Sequence, residues 1–234
     1  MPRKMIGTSP DALRRRAAEV DRILTLVFGR QATEGSEDPV DTLVETVLSQ
    51  NTTDVNSHKA FMALKKRYPR WEALLTERPS TVAPIIREGG LAEIKAGRII
   101  EAMRFIKRER GRLDLEFLKE MAPREAEAWL AQIKGVGPKT RGIILLFSLQ
   151  MPAFPVDTHI HRVTKRIGLI GPKVSREDAQ GALASLVPQS EYYNFHLNLI
   201  FHGRAVCHAR NPKCPVCKVS HLCSYYYTVF LAHS

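Results

Sequence analysis

The chain is predicted to be all-α, and three observations carry that expectation. Apolar residues recur every three or four positions along most of its length. No two-residue alternation persists long enough to build a sheet. The punctuation consists of Ser-Pro and Asp-Pro starts with glycine stops, the signature of helix ends.

The elements follow in order. Ser9-Pro10 supplies a cap and a first-turn proline, and Leu13, Ala17, Val20, Ile23, Leu24, Val27 and Phe28 then share one helical face until Gly29. Gln31 to Asp38 is polar, contains Gly35 and reads as a linker. Asp38-Pro39 starts a second helix through Leu43, Val44, Val47 and Leu48. Further helices are expected at about 54–67, 71–76, 80–87, 92–109, 123–133, 138–149, 158–168, 175–186 and 192–206. Gly89-Gly90, Gly111 and Gly171-Pro172 mark joints between them.

With 234 residues, 44% of them hydrophobic, the chain can bury a core as one domain or as two lobes. A formal charge of +11 points to a polyanionic partner or simply to a soluble basic surface. No apolar run approaches the roughly 20 residues that span a bilayer. The opening MPRKMIGTSPDALRRR leads into no apolar core, so a cytosolic protein is expected. In that compartment, four cysteines gathered between Cys207 and Cys223 suggest metal ligands before disulfides.

The chemistry concentrates in KGVGPKTRGIILLFSLQMPAFPVDTHIHR, from Lys134 to Arg162. Trp129, Leu130 and Ile133 close one helix, while Ile143, Ile144, Leu146 and Phe147 form the apolar side of the next. Between them Gly135 and Gly137 allow a tight turn and close backbone approach. Amides opening the second helix would then face an anion, gripping a phosphate backbone without reading bases. An ordinary turn with two glycines fits the same letters. Lys139 follows in the first helical turn, where the dipole and partial burial would both disfavour an ammonium. A neutral amine can attack a sugar carbon and form a Schiff base, whereas a solvated lysine would only touch phosphate. Asp157 can take up the amine's proton and stabilise positive charge on the sugar, or cap the helix it opens, or both. Its own charge would favour the ammonium form of Lys139, against the other two effects.

Cys207, Cys214, Cys217 and Cys223 are spaced C-x6-C-x2-C-x5-C. Four thiolates suit an iron–sulfur cubane or tetrahedral zinc, but zinc ribbons usually bring two CxxC pairs and only Cys214–Cys217 forms one. The loop between the first two cysteines bears His208, Arg210 and Lys213, a basic surface for phosphate. A structural staple is the plainer role for the same cysteines.

GVGPKT followed by PVDTHIHR resembles the endonuclease III branch of the helix–hairpin–helix (HhH-GPD) DNA glycosylases. FHLNLIFHGRAVCHARNPKC and the cysteine spacing, matched without insertion, resemble it too, and the likeness covers roughly 38–226. The resemblance implies a six-helix barrel over 33–151 containing the hairpin. It also implies a lobe of 1–32 and 152–234 with a [4Fe–4S] cluster on Cys207, Cys214, Cys217 and Cys223. The active site would lie in the cleft between the two. Lys139 would be the Schiff-base nucleophile and Asp157 its activating carboxylate. Relatives of the adenine-mismatch branch usually lack this lysine, so Lys139 implies a bifunctional DNA N-glycosylase with AP lyase activity. Its partner would be double-stranded DNA carrying damaged bases, by family default oxidised pyrimidines, or abasic sites. Gly135, Gly137, His159, Arg210 and Lys213 would contact that DNA. A flipped nucleotide leaves a hole to be filled. In LSQNTTD, alignment puts Asn51 at the family's filling glutamine, with Gln50 one step earlier; in GGLAEIKAGRI, Leu91 matches the apolar wedge. A monomer associated with the nucleoid is expected. Removal of a mismatched base or modified cytosine stays open, since LSQN resembles a motif of plant demethylating relatives, as does a non-catalytic DNA-binding iron–sulfur protein.

Overall fold

The computed structural model describes residues 9–32 and 37–232. It divides into two compact units, one formed by Met1–Glu34 with Pro152–Ser234 and the other by Gly35–Met151. The middle of the expected linker, 33–36, and the expected boundary at 33 lie outside the described residues. Among the described residues there is no strand.

In the first unit, α1 (Pro10–Phe28) starts on the Ser9 cap and stops at Gly29, whose φ of 85° suits only glycine well. It packs on α10 (Tyr192–Ala205), which also contacts α8 (Thr158–Ile167); α9 (Arg176–Ala184) lies against α8. Ala17, Val20 and Leu24 of α1, Ile160, Val163 and Ile167 of α8, and Phe195 and Leu199 of α10 are buried apolar residues of this unit. A polar seam is also buried. Asn194 donates to Asp21 and Thr25 at 2.8 Å each and accepts the Gln31 amide at 2.9 Å. Burial, and then the charge of Glu191, push the Asp21 carboxyl up to about 6.

The second unit is built from α2 (Pro39–Ser49), α3 (Asp54–Arg67), the short α4 (Pro79–Val82), α5 (Ala92–Arg110), α6 (Pro123–Leu130) and α7 (Pro138–Ile143). The Asp38 carboxylate caps α2 by accepting Val40 and Asp41 amides at 2.7 and 3.1 Å. Eight of its eleven residues are buried, so α2 behaves as a core helix with neighbours α3, α5 and α7. Ile99, Ile100, Met103 and Ile106 supply the apolar side of α5.

Four expected helices are shorter or tighter than their periodicity suggests. Residues Trp71–Thr76 form a 3₁₀ helix, and 80–87 resolves into α4, turns and a 3₁₀ turn at Arg87–Gly89. The helix expected to 133 ends at Leu130. Beyond α7 the backbone widens into a π turn over Ile144–Ser148, where Leu149 N bonds Ile144 O at 3.0 Å. Ser148 there donates to Thr42 Oγ1 at 2.7 Å, a buried tertiary bond that no local pattern announces.

Candidate functional site

Within the second unit, the hairpin joins α6 to α7 through turns closed by Ile133 N on Leu130 O and Val136 N on Ile133 O. Gly135 sits at φ 85°, which strains any side chain, and a Cβ there would come within 3.2 Å of Arg98 Cδ, so Arg98 would have to give way. Gly137 differs: its φ is ordinary at −77°, and an added Cβ would meet no protein atom within 4 Å. The backbone there faces open space rather than a neighbour. Arg141 braces the hairpin, donating to Val136 O at 3.2 Å and pairing with Glu127 of α6 at 3.5 Å.

Lys139 occupies the first turn of α7, after Pro138. The expected partial burial is corrected: the lysine is exposed, because α7 turns Thr140 and Gly142 inward instead, followed by Ile144 of the next turn. The first backbone bond of the helix runs from Arg141 N to Gly137 O at 3.0 Å. The Lys139 and Thr140 amides, in the first turn, have no acceptor four residues back within the helix.

The loop after α2 and the turn before α5 belong to the same unit. Gln50 ends α2 half-buried, its Oε1 accepting from Arg98 at 2.7 Å. Asn51 is exposed and left-handed at φ 54°. Leu91 is left-handed too, at φ 49°, and 52% exposed. A leucine held in that region is strained by about 1–3 kcal/mol, which persists only where the surroundings impose it.

In the first unit, Asp157 caps α8 by accepting the Ile160 amide at 2.7 Å and is half-buried. His159 packs against α10, its Cβ 3.0 Å from where a Gly203 side chain would begin. Arg162 donates to its Nδ1 at 3.1 Å, and burial leads the effects that lower its pKa. Arg162 and Arg166, one turn apart on α8, hold the loop that follows α10. Arg162 donates to Cys207 O and Gly203 O at 2.9 Å each. Arg166 donates to His208 O at 2.6 Å, Ala209 O at 3.0 Å and Cys207 Sγ at 3.4 Å. Arg210 and Lys213 of this loop are exposed.

All four cysteines line one mostly apolar pocket with Arg166, His202 and Tyr226. Burial raises the Cys214 thiol and pushes Cys217 and Cys223 to about 11. Among the described residues, no three His, Cys, Asp or Glu side chains converge as a ready single-ion site. The sulfurs share a space without meeting at a point.

Sequence reasoning missed Lys95, Arg98, Arg162 and Arg166. For Lys95 a signal existed, since it falls on the buried stripe Lys95, Ile99, Met103 and Ile106. The arginines carry no such mark; only tertiary contacts reveal them.

The family model described as HhH-GPD superfamily base excision DNA repair protein matches residues 44–189. The chain belongs to the HhH-GPD superfamily of base excision DNA repair proteins. Similar members include a putative DNA glycosylase of Arabidopsis thaliana, 38% identical over 72% of this chain and 57% of that protein. Endonuclease III of Synechocystis is 34% identical over 90% of this chain and 92% of its own length. For Thermotoga maritima endonuclease III the figures are 32%, 81% and 84%. A trapped endonuclease III–DNA covalent intermediate superposes with a TM-score of 0.79 at 25% identity, covering 96% of this chain and all of that one. This HhH-GPD protein is therefore a base-excision repair DNA glycosylase by kinship.

Proposed function

We propose that this glycosylase is bifunctional, releasing a damaged base and then cutting the strand as an AP lyase. The observation that carries the reading is Lys139, presented to solvent in the first turn behind the Gly135–Gly137 hairpin. Double-stranded DNA is the partner, gripped at its phosphates by the hairpin amides and by Arg210 and Lys213. Asn51 or Gln50, with Leu91, fills the stack after a nucleotide is flipped.

With a nucleotide extruded, the Lys139 amine attacks C1′, the glycosidic C1′–N bond breaks, and the base leaves with the bonding pair. Asp157, as carboxylate, stabilises the positive charge on the sugar and takes up the amine's proton. Opening of the sugar ring gives the imine between Nζ and C1′. Loss of a C2′ proton then expels the 3′ phosphate, and water hydrolyses the imine to return the lysine. Oxidised pyrimidines are the proposed bases.

Cys207, Cys214, Cys217 and Cys223 fit a [4Fe–4S] cluster: all four line one pocket, and burial opposes the thiolate forms of Cys214, Cys217 and Cys223 unless cationic iron compensates. When bound there, such a cluster would supply structure, fixing the loop that carries Arg210 and Lys213.

Borohydride reduction on duplex DNA containing an abasic site tests the lyase step. Wild-type protein should become covalently attached to DNA, and Lys139→Gln should not. Attachment by Lys139→Gln at the wild-type level would refute Lys139 as nucleophile.

A further inference from the structure

Lys95 is only 1% exposed, yet it carries an ammonium into the core of the second unit. Its Nζ donates to Leu48 O at 2.7 Å and to Gly89 O at 2.6 Å. Leu48 lies two residues before Gln50, and Gly89 two residues before Leu91. One turn further along α5, Arg98 donates to Gln50 Oε1, and its methylenes lie against Gly135 of the hairpin. Two cations on one helix therefore tie together the loop, the turn and the hairpin assigned to DNA.

A hydrocarbon of equal volume would fill the Lys95 position without the penalty of burying a charge. What it could not supply is two bonds to carbonyls from separate segments, which are costly to leave unpaired. Those segments also bear Asn51 and Leu91, both at positive φ without being glycine. Such conformations persist where neighbouring structure over-determines them, and Lys95 holds the backbone next to both.

We propose that Lys95 and Arg98 are positioning residues that make the Gln50–Asn51 loop, the Leu91 turn and the Gly135 hairpin enter the duplex as one rigid piece. The inference rests on the function proposed above. It also divides the two amides: Gln50 is the strut, committed to Arg98, and Asn51 is the group that fills the emptied base position.

The test uses the full chain on DNA with 2-aminopurine opposite an abasic site, which brightens when that base is unstacked. Borohydride trapping on the same site is measured in duplex and in single-stranded DNA, where no stack needs filling. Lys95→Met should dim the fluorescence rise and lower the duplex-to-single-strand trapping ratio by about 10- to 100-fold, the scale of an ångström-sized misplacement. Arg98→Met and Gln50→Leu, at half-buried positions, keep the test available if Lys95→Met does not fold. Each should lower the ratio, and the double variant should fall no further than either alone. Effects of Arg98→Met and Gln50→Leu that multiply, or a wild-type ratio in Lys95→Met, would overturn the inference, because a merely structural role slows both substrates alike. Wild-type protein that neither traps nor brightens would sink the function and this inference together. Wild-type behaviour with unaltered variants would sink the inference alone.

Discussion

At Asp157 an observed helix cap and a proposed catalytic charge coincide, and a pair of substitutions can separate them. It caps α8 through a 2.7 Å bond from Ile160 N, and it is the carboxylate proposed to face the sugar. Asparagine caps about as well as aspartate, so Asp157→Asn should change stability by no more than a few tenths of a kcal/mol, roughly. Alanine removes the cap and costs about 1 kcal/mol. In a chain of this size that lowers the melting temperature by about 2–4 °C. Both substitutions remove the charge. Losing an electrostatic and proton-accepting group costs about 100- to 10,000-fold in rate. That corresponds to roughly 3–5 kcal/mol of barrier, several times the cap's worth. A lost cap leaves the protein almost wholly folded and cannot imitate such a slowdown. Melting followed by circular dichroism, alongside single-turnover base release, reads the two effects separately. Asp157→Asn should melt like wild type and release bases as slowly as Asp157→Ala. A wild-type rate of base release in Asp157→Asn would refute the catalytic argument, and a melting loss equal to that of alanine would refute the capping argument.

Leu91→Gly should relieve backbone strain and raise stability by about 1 kcal/mol while weakening DNA distortion; urea unfolding and 2-aminopurine fluorescence should move in opposite directions. Asp21 is held protonated more tightly in the folded protein, so its contribution is greatest below the ordinary carboxylate value of 3.8 and is lost as pH rises toward about 6. Asp21→Asn should abolish that loss, and equal urea midpoints for variant and wild type at neutral pH would contradict the buried-carboxyl account. Cys217→Ser should lose bound iron and loosen the loop carrying Arg210; metal analysis with proteolysis across 207–223 would show it, and full iron content in the variant would exclude Cys217 as a ligand.

Helix starts were legible because capping is local. Ser9, Asp38 and Asp157 each accept amide hydrogens two or three residues ahead, as their positions before helical runs suggest. Helix ends were less legible. The π turn after Ile143 carries a buried bond from Ser148 to Thr42, and periodicity holds no trace of a partner 106 residues away. Lys139 was found from its motif, but its exposure was not, since the side α7 turns inward depends on what packs against it. The resemblance implies that His159 contacts DNA; in the fold it packs against Gly203, a contact that only α10 creates.

By itself, the sequence determined the helical class, the caps, the lysine behind its glycine hairpin and the four clustered thiols. Each of these depends on residues a few positions apart. Tertiary structure alone decided that Lys95 is buried between two carbonyls, one of them 47 residues distant, and that Asn51 and Leu91 are held in left-handed backbone. A buried cation and a strained turn are stable only when packing from remote segments supplies the acceptors and the restraint, and that information is not written in any short stretch of chain.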